Sequence, residues 1–222
     1  MVAVSPDSTC NLSYGMQMNK NQKLVIIGDS VFAEVAYEFF THDSTYEVVA
    51  FSVELNWLKR NALFNLPVVP FENLEKLYPP SGHHVFVAVV FTQANRLRTR
   101  LYLEAKAKGF QPAFYISSRA LVPDNAQLGE HSFICEATVV QPHAKIGDNV
   151  VLWSGNQIGH HAVIKRNCFT LPHAVVCEFA QIGENCVIGA NATILANVTI
   201  GDDCRVEAGA LIEKDMNSQA AS

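Results

Sequence analysis

The chain has few charged residues and lacks the stretches that would direct it to nucleic acid or into a membrane. Only 17% of its 222 residues are charged, and its formal net charge is -5. It contains no run of basic residues and no basic-aromatic stripe, which argues against a nucleic-acid partner. No apolar stretch approaches the roughly 18 residues of a membrane span, and no charged segment precedes an apolar core as in a signal peptide. We therefore expect a cytoplasmic protein with neither a nucleic-acid nor a membrane partner.

A CxxC pair is also missing, although the chain has six cysteines. The cysteine spacing therefore does not favour a zinc site, and we expect no metal. Cys168, Cys186 and Cys204 are 18 residues apart, which predicts that they stack as a column of small buried side chains. Buried free thiols of this kind are typical of proteins in a reducing compartment.

The most regular feature of the sequence is a repeat with a period of six. The first position of each hexad is occupied by Ile116, Val122, Leu128, Ile134, Val140, Ile146, Leu152, Ile158, Ile164, Thr170, Val176, Ile182, Ile188, Ile194, Ile200, Val206 and Ile212. The 96 steps from Ile116 to Ile212 make sixteen hexads without an insertion, and only Thr170 is not aliphatic. A hexapeptide repeat of this kind is typical of a parallel β-helix.

The fourth and fifth positions of the hexads predict a corner after each short strand. The fifth position is nearly always small, and thirteen of the sixteen fourth positions are Gly, Asn, Asp or His, with Arg119, Ala137 and Phe179 as exceptions. These four residue types tolerate or are enriched at positive φ. Three hexads would close a triangular coil, giving about five coils in all. The hexads alone do not determine the hand of the coil, and the general rule for parallel crossovers favours right-handed ones.

The first half of the chain alternates predicted strands and helices. Strands are predicted over 23–28, 47–53, 67–70 and 84–90, and helices over 31–40, 71–77 and 93–108, with Ser30 as an N-cap. This alternation is typical of a small, Rossmann-like α/β domain with a parallel sheet. We divide the chain into a disordered leader (1–22, with Met16 or Met18 as a candidate start), an α/β domain (23–115), the repeat domain (116–215) and a tail (216–222).

The turn after the first strand is a candidate substrate site. Gly28, Asp29 and Ser30 connect this strand to the first helix, where backbone amides at a helix N-terminus can face an anion. The later glycines of a dinucleotide-binding fingerprint are missing. A plain turn and a sugar-nucleotide pocket both remain open at this point.

The two parts in this order resemble a family of two-domain hexapeptide-repeat sugar acyltransferases. The resemblance depends on the segment LVIIGDS at 24–30, on Asn95-Arg96 at the start of the last helix, and on the segment IGHHAVI at 158–164. The family includes the sialic acid O-acetyltransferases and the bacillosamine N-acetyltransferases. It implies a left-handed β-helix, a homotrimer, and transfer of an acetyl group from acetyl-CoA to a sugar, often nucleotide-linked, in surface polysaccharide or glycan biosynthesis. In the family the α/β domain holds the sugar nucleotide, and CoA lies between neighbouring β-helices.

His160 is the predicted general base. The histidines at 131, 143, 161 and 173 occupy fourth positions and are explained by the corner conformation, whereas His160 occupies a third position, where the backbone requires no imidazole. Imidazole is suited to proton transfer at neutral pH, and the resemblance also implies that the catalytic histidine is His160. An exposed side chain without a role is the alternative.

Several residues depart from the family pattern. Glu178, one coil above His160, replaces a glycine whose backbone amide faces the thioester, and we expect Glu178 to orient His160 and to contact the cofactor. Trp153 and Phe169 replace an asparagine and a second histidine, and the C-terminal segment that helps relatives hold CoA is absent. Ala190 and Ala208, small third-position residues 18 apart, predict a groove for the pantetheine arm of CoA.

Two other functions compete with an acetyltransferase. A trimeric binding or scaffold protein of the same architecture would keep the fold without the chemistry. A zinc enzyme of the carbonic anhydrase type would need three converging imidazoles, and His143 and His161, which stack 18 residues apart, already have the corner explanation. The residues favour the acetyltransferase, with O- and N-acylation both open.

Overall fold

The computed structural model of the protein describes residues 19–91 and 95–218. Most of the predicted leader, including Met16 and Met18, lies outside these residues, as do Gln93 and the end of the predicted tail. Within the described residues no helix is both long and apolar enough to cross a membrane.

The first part of the chain forms a mostly parallel six-stranded sheet with helices. Its elements are β1 (Gln22–Ile27), α1 (Val31–His42), β2 (Tyr46–Val53), β3 (Ala62–Leu63), β4 (Leu66–Pro70), α2 (Leu74–Leu77), β5 (His83–Val87), α3 (Arg96–Ala107) and β6 (Gln111–Pro112). The strand order is β3-β4-β2-β1-β5-β6, and only the β3–β4 pair is antiparallel. The α/β prediction is therefore confirmed.

Three predicted elements differ from the structure in type or by three residues at one end. The strand predicted over 84–90 ends at Val87. The helix predicted over 93–108 begins at Arg96, since Asn95 has a φ of 65° and therefore cannot continue a right-handed helix. The helix predicted over 71–77 is a 3₁₀ turn (Phe71–Asn73) followed by the short α2.

The second part of the chain is a parallel β-helix of two-residue strands. Each strand pairs with the strand 18 residues later, as Ile146 pairs with Ile164. The sixteen strands are β7 (Tyr115–Ile116), β8 (Gln127–Leu128), β9 (Phe133–Ile134), β10 (Val139–Val140), β11 (Lys145–Ile146), β12 (Val151–Leu152), β13 (Gln157–Ile158), β14 (Val163–Ile164), β15 (Phe169–Thr170), β16 (Val175–Val176), β17 (Gln181–Ile182), β18 (Val187–Ile188), β19 (Thr193–Ile194), β20 (Thr199–Ile200), β21 (Arg205–Val206) and β22 (Leu211–Ile212).

These strands form three sheets, which we call faces. Face A contains β7, β9, β12, β15, β18 and β21, face B contains β10, β13, β16, β19 and β22, and face C contains β8, β11, β14, β17 and β20. The chain passes from A to B at the first corner, from B to C at the second, and from C to A at the third. These corners position every candidate site residue of the repeat.

The corner conformation agrees with the hexad pattern over most of the repeat. All fourteen fourth positions from His131 to Gly209 have positive φ, including Ala137 and Phe179, whose types were exceptions to the rule. The stacking of coils thus imposes the left-handed corner even on residues that do not favour it. Arg119 and Asn125, in the first coil, do not have positive φ, so for Asn125 the corner prediction was wrong.

First and fifth positions fill the interior of the β-helix. Cys168, Cys186 and Cys204 are among the buried residues of this core, as predicted. Thr170, which interrupts the aliphatic column, is fully buried, and its hydroxyl donates to the carbonyl of Val151 at 3.2 Å. The polar atom is therefore satisfied inside the core.

An aromatic cluster joins the α/β domain to face A. Phe32 of α1 lies 5.4 Å from both Phe133 and Trp153 and 6.1 Å from Phe169, measured between ring centroids. Phe86 of β5 lies 5.1 Å from Phe133. Because sixth-position side chains point out of the β-helix, this face would expose large apolar groups without the α/β domain.

Candidate active site

His160 lies at the second corner, directly after β13. Its backbone amide donates to the side-chain oxygen of Gln141 at 3.1 Å, which connects it to the coil below. Its carbonyl accepts a hydrogen bond of 3.2 Å from the amide of Phe179 in the coil above. The backbone of His160 is therefore held on both sides, while its ring is only half-buried.

The ring of His160 contacts two neighbours. Its Nδ1 lies 3.2 Å from Nδ1 of His161, and its plane meets the ring of Phe179 edge-on at 5.2 Å. Nε2 of His160 has no hydrogen-bond partner within residues 19–91 and 95–218. The free ring nitrogen of His160 is consequently Nε2, a choice that the sequence left open.

The ring of His161 is packed between two other rings. It stacks on Phe179 at 5.0 Å with an interplanar angle of 19°, and the ring of His143 lies 4.9 Å away on the coil below. His161 has a φ of 59°, as its corner position predicted. The stack holds the His161 ring beside that of His160, which the hexad argument did not predict.

Glu178 lies on the same corner as His160, one coil above. Its side chain is exposed, and in the described part of the chain its carboxylate makes no hydrogen bond to the His160 ring. The partner of Nδ1 is His161 instead. The backbone amide of Glu178 lies directly over Gly159, where a Cβ at residue 159 would collide with the amide nitrogen. Gly159 therefore leaves this amide uncovered beside His160.

Ala190 and Ala208 lie at the first corner, not at the corner of His160 and Glu178. Ala190 follows β18 and is half-buried, and Ala208 follows β21 and is exposed. The single chain thus separates the two predicted parts of the cofactor site. They can share a ligand only if a second β-helix places its first corner beside the second corner of this one.

The turn of Gly28, Asp29 and Ser30 lies at the carboxyl end of β1. Gly28 has a φ of 126°, and an added Cβ would lie 2.6 Å from the carbonyl oxygen of Ala88, so only glycine fits. Ser30 is the N-cap of α1, as predicted, but its hydroxyl makes no capping hydrogen bond. Asp29 pairs with Arg60 at 3.4 Å. Within the described residues the turn therefore has an uncapped hydroxyl and an ion-paired carboxylate at a helix N-terminus.

Trp153 and Phe169 belong to the aromatic cluster under α1. The ring of Phe169 also lies 5.1 Å from that of Phe91, just before the segment 92–94, which is outside the described residues. At these two positions packing between the domains replaces the polar side chains of the family.

A ladder of polar side chains runs along the third corner. His131, Asn149, Asn167, Asn185 and Asp203, each 18 residues after the last, are joined by side-chain hydrogen bonds of 2.7, 2.9, 3.1 and 3.2 Å. From the sequence, these residues were explained by the corner conformation alone. The amide-rich spacing of 18 is the signal that could have predicted the ladder.

The lower end of the ladder contacts the α/β domain. The amide of Val87 donates to Nε2 of His131 at 2.9 Å, so Nδ1 carries the proton and donates to Asn149. Burial, together with the nearby Arg98 and Lys106, holds the pKa of His131 well below its usual value of 6.5. Nη1 of the fully buried Arg98 donates to the carbonyl of Asn149 at 2.7 Å, whereas its Nε and Nη2 have no partner among the residues that the structure describes. Burial lowers the pKa of Arg98 to about 9.

Within residues 19–91 and 95–218, no group of three His, Cys, Asp or Glu side chains is arranged to hold a metal ion. His143 and His161 face each other as rings, without a third ligand beside them.

Comparison with known proteins agrees with the repeat and the architecture. The family model for the bacterial transferase hexapeptide (six repeats) matches residues 143–178, 161–196 and 179–214. No curated protein sequence matches the chain.

Several solved structures match both parts of the chain. The acetyltransferase domain of PglB from Neisseria gonorrhoeae is 26% identical, with a TM-score of 0.79, over 88% of this chain and 93% of that one. The same domain in complex with acetyl coenzyme A is 25% identical, with a TM-score of 0.79, over 89% and 93%. A variant of perosamine N-acetyltransferase from Caulobacter crescentus, in complex with CoA and GDP-perosamine, is 25% identical, with a TM-score of 0.80, over 89% and 91%. The predicted fold is confirmed: an α/β domain followed by a left-handed parallel β-helix.

Proposed function

Because the chain shares the two-domain architecture of the hexapeptide-repeat sugar acetyltransferases, we propose that it transfers an acetyl group from acetyl-CoA to a nucleotide-linked sugar in surface polysaccharide or glycan biosynthesis. The observation that carries the proposal is His160. Its half-buried ring has an Nε2 without a hydrogen-bond partner among the described residues, in a chain that matches these acetyltransferases over nearly nine tenths of its length.

His160 acts as the general base in this proposal. Nε2 takes the proton from the sugar amine or hydroxyl as that group attacks the acetyl carbonyl, and the CoA thiolate leaves. Cys135, Cys168, Cys186 and Cys204 are buried, and burial raises the pKa of the half-buried Cys177 thiol, which disfavours its nucleophilic thiolate form. The transfer in this proposal is therefore direct and forms no acyl-enzyme. The amide of Glu178, left uncovered by Gly159, is placed to donate to the oxyanion that forms at the carbonyl.

Acetyl-CoA fits a site made by two β-helices. Glu178 lies at the second corner, and Ala190 and Ala208 at the first. Small side chains at Ala190 and Ala208 leave room for the pantetheine arm, which lies along the backbone there. We therefore propose that CoA lies between the second corner of one subunit and the first corner of the next.

A homotrimer brings these corners together. Apolar side chains are exposed on face B and at the second corner: Leu121 is 67% exposed, Leu211 57% and Phe179 46%. Exposed apolar groups in one region favour a partner surface. The five described cysteines are all free, which favours the reducing cytoplasm as the compartment.

The sugar nucleotide binds at the turn of Gly28, Asp29 and Ser30 in this proposal. The uncapped hydroxyl of Ser30 and the amides at the N-terminus of α1 suit a diphosphate. The carboxylate of Asp29 would repel an anion by itself, but its ion pair with Arg60 offsets that charge. The α/β domain (23–115) is thus the substrate domain, and the repeat (116–215) carries the chemistry.

The test is thiol release from acetyl-CoA by the full chain with a panel of nucleotide-linked amino sugars, nucleotide-linked hydroxyl sugars and free sugars. We expect release that depends on a nucleotide-linked sugar, and a kcat about 10² to 10⁴ lower for His160→Ala. Stability should change by less than about 0.5 kcal/mol, because the ring is only half-buried and lies outside the core. Binding of a sugar nucleotide without thiol release would favour the scaffold alternative, with which the apolar Trp153 and Phe169 also agree.

A further inference from the structure

We propose that His161 is the positioning residue for His160, holding the proton of His160 on Nδ1 so that Nε2 is free to act as the base. The expected effect on the rate rests on the proposed function, whereas the position of the proton on His160 can be tested without it. It assigns His161 a role beyond the corner conformation.

The rings of His160 and His161 are close enough for a hydrogen bond. Nδ1 of His160 and Nδ1 of His161 are 3.2 Å apart. A hydrogen bond between two imidazole nitrogens requires a proton on one and a lone pair on the other. Two arrangements are therefore available to the neutral pair, and they have opposite consequences for His160.

Only one of the two arrangements leaves a base. If His160 donates from Nδ1, its Nε2 carries a lone pair and can accept a proton from the substrate. If His161 donates instead, the neutral His160 carries its proton on Nε2 and cannot accept one there. When His160 becomes charged by taking the substrate proton, its Nδ1–H bond to a neutral His161 strengthens, because a charged donor makes the stronger hydrogen bond.

The position of the His161 ring depends on its ring contacts and its backbone. The ring is stacked on Phe179 at 5.0 Å and faces His143 at 4.9 Å, and the backbone occupies the left-handed corner. These contacts favour a place for Nδ1 of His161 beside His160, although all three of these rings are exposed. Among the described residues the ring of His160 makes this bond and an edge contact with Phe179, so the bond contributes to its orientation.

Among the described residues no carboxylate contacts the rings of either histidine. Glu178, the charged side chain at the same corner, makes no hydrogen bond to them, and the groups that face them are Phe179, His143 and Gln141, the last through the backbone of His160. His161 thus takes the place that a carboxylate has in many catalytic triads.

The experiment compares three variants of the full chain. His161→Phe removes the nitrogen but keeps a ring for the stack, and Phe179 shows that phenylalanine is accommodated at such a corner with a φ of 59°. His161→Asp restores an acceptor, since its carboxylate oxygen can occupy the place of Nδ1, and Asp203 occupies the same kind of corner. His42→Phe is the matched control, because it removes an exposed imidazole in the last turn of α1, outside both corners of the proposed CoA site.

We expect His161→Phe to lower kcat about 10- to 100-fold with the KM values for both substrates nearly unchanged, because the residue acts through His160. His161→Asp should recover most of that loss, and His42→Phe should stay within about twofold of the original protein. An equal loss in His161→Phe and His161→Asp, or no loss in either, would overturn the proposal.

A second measurement does not depend on turnover. Long-range proton–nitrogen NMR correlations of protein labelled in histidine report which nitrogen of His160 holds the proton, with His160→Ala for assignment. We expect Nδ1–H in the original protein and in His161→Asp, and mainly Nε2–H in His161→Phe. If this pattern is found without acetyl transfer, the proposed function fails while the pairing stands. If His160 holds Nε2–H in the original protein, the inference is wrong whatever the activity.

Discussion

The imidazole Nε2 of His131 accepts a hydrogen bond of 2.9 Å from the backbone amide of Val87. Val87 is the last residue of β5, and His131 is the lowest member of the ladder on the third corner, so this bond links the two domains. Because the accepting nitrogen must be unprotonated, the link exists only while His131 is neutral.

The domain interface should therefore weaken in acid. The pKa of His131 is well below 6.5 in the folded protein and near 6.5 in the unfolded chain. Below pH 6.5 the unfolded state thus binds a proton that the folded state does not, and the free energy of unfolding falls as the pH falls, by up to about 1.4 kcal/mol per pH unit. Denaturant titrations from pH 7.5 to 5 measure this slope.

His131→Asn tests the assignment of that slope. Asparagine suits the left-handed corner but is too short to replace both hydrogen bonds of the imidazole ring. The free energy of unfolding at pH 7.5 should therefore fall by about 1 to 3 kcal/mol. Below pH 6.5 the free energy of unfolding should depend less steeply on pH, because the folded and unfolded states then differ by about one bound proton fewer. His173→Asn, at an exposed corner of the same kind, should keep the original slope; an equal change in both variants would contradict the assignment.

The ladder itself should contribute to stability. Asn167→Ala removes two side-chain hydrogen bonds, one from Asn149 and one to Asn185. It also places alanine in a left-handed corner, which costs about 1 to 2 kcal/mol by itself. Asn191→Ala has the same backbone cost, since Asn191 has a φ of 55° and is exposed outside the ladder.

The difference between these two variants isolates the ladder. We expect Asn167→Ala to lose about 1 to 3 kcal/mol more than Asn191→Ala in the free energy of unfolding. Chemical denaturation of both variants under one condition gives this difference. Equal losses would show that the column of asparagines is retained for its backbone conformation alone.

The sequence predicted the β-helix well because the demands of its interior are local. Each hexad must supply a branched residue such as Ile158 and a small one such as Ala162, so the pattern repeats in the chain itself. The corner rule also worked for residues such as His161. It failed for Asn125 in the first coil, because no earlier coil lies below to impose the corner.

The candidate site was less predictable because its contacts cross coils and domains. The link from Val87 to His131 joins residues 44 apart in sequence, and no periodicity encodes it. The aromatic cluster around Phe32 was missed for the same reason. The pairing of His160 with His161 was missed because the corner conformation already explained His161, so a second role for its ring was not sought.

Arg98 provides a test on the α/β side of the interface. Its pKa of about 9 means that the buried, charged form is disfavoured in the folded state. The unfolded state keeps its proton to a much higher pH, so the free energy of unfolding should rise with pH above about 9. Replacing a buried, incompletely paired charge by an apolar side chain of similar volume is often neutral or stabilising.

We therefore expect Arg98→Met to leave the free energy of unfolding unchanged or raise it by up to about 2 kcal/mol at neutral pH. The loss of the bond to the carbonyl of Asn149 limits the gain. Arg100→Met, on the same helix, removes exposed ion pairs to Glu54 and Glu104 and should lower stability by less than about 1 kcal/mol. A loss of more than about 2 kcal/mol in Arg98→Met would show that Arg98 holds the interface.

Ala208 tests where CoA binds. Ala208→Trp places a large side chain in the proposed groove at an exposed corner, where the core is not disturbed. We expect the Kd for CoA to rise at least about tenfold by calorimetry, while the melting temperature changes little. Glu207→Trp, at the neighbouring exposed position of the same corner, is the matched control for an added indole. An unchanged Kd in Ala208→Trp would remove Ala208 from the cofactor site.

Two variants impaired in different parts of the proposed site should restore activity when they assemble together. His160 lies at the second corner and Ala208 at the first, so one chain cannot bring them to the same site, whereas adjacent subunits of a trimer can. His160→Ala and Ala208→Trp are unfolded together and refolded as a mixture. An interface is then intact when the Ala208→Trp chain supplies His160 and the His160→Ala chain supplies Ala208. Random assembly makes about a quarter of the interfaces intact. At an acetyl-CoA concentration well below the Kd of Ala208→Trp, we therefore expect about a quarter of the original turnover per site in the co-refolded mixture and light scattering at the mass of three chains. When the variants are refolded separately and then mixed, turnover should be at most about a tenth of the original. If co-refolded trimers stay inactive although each variant assembles normally, the two residues do not share a site between subunits.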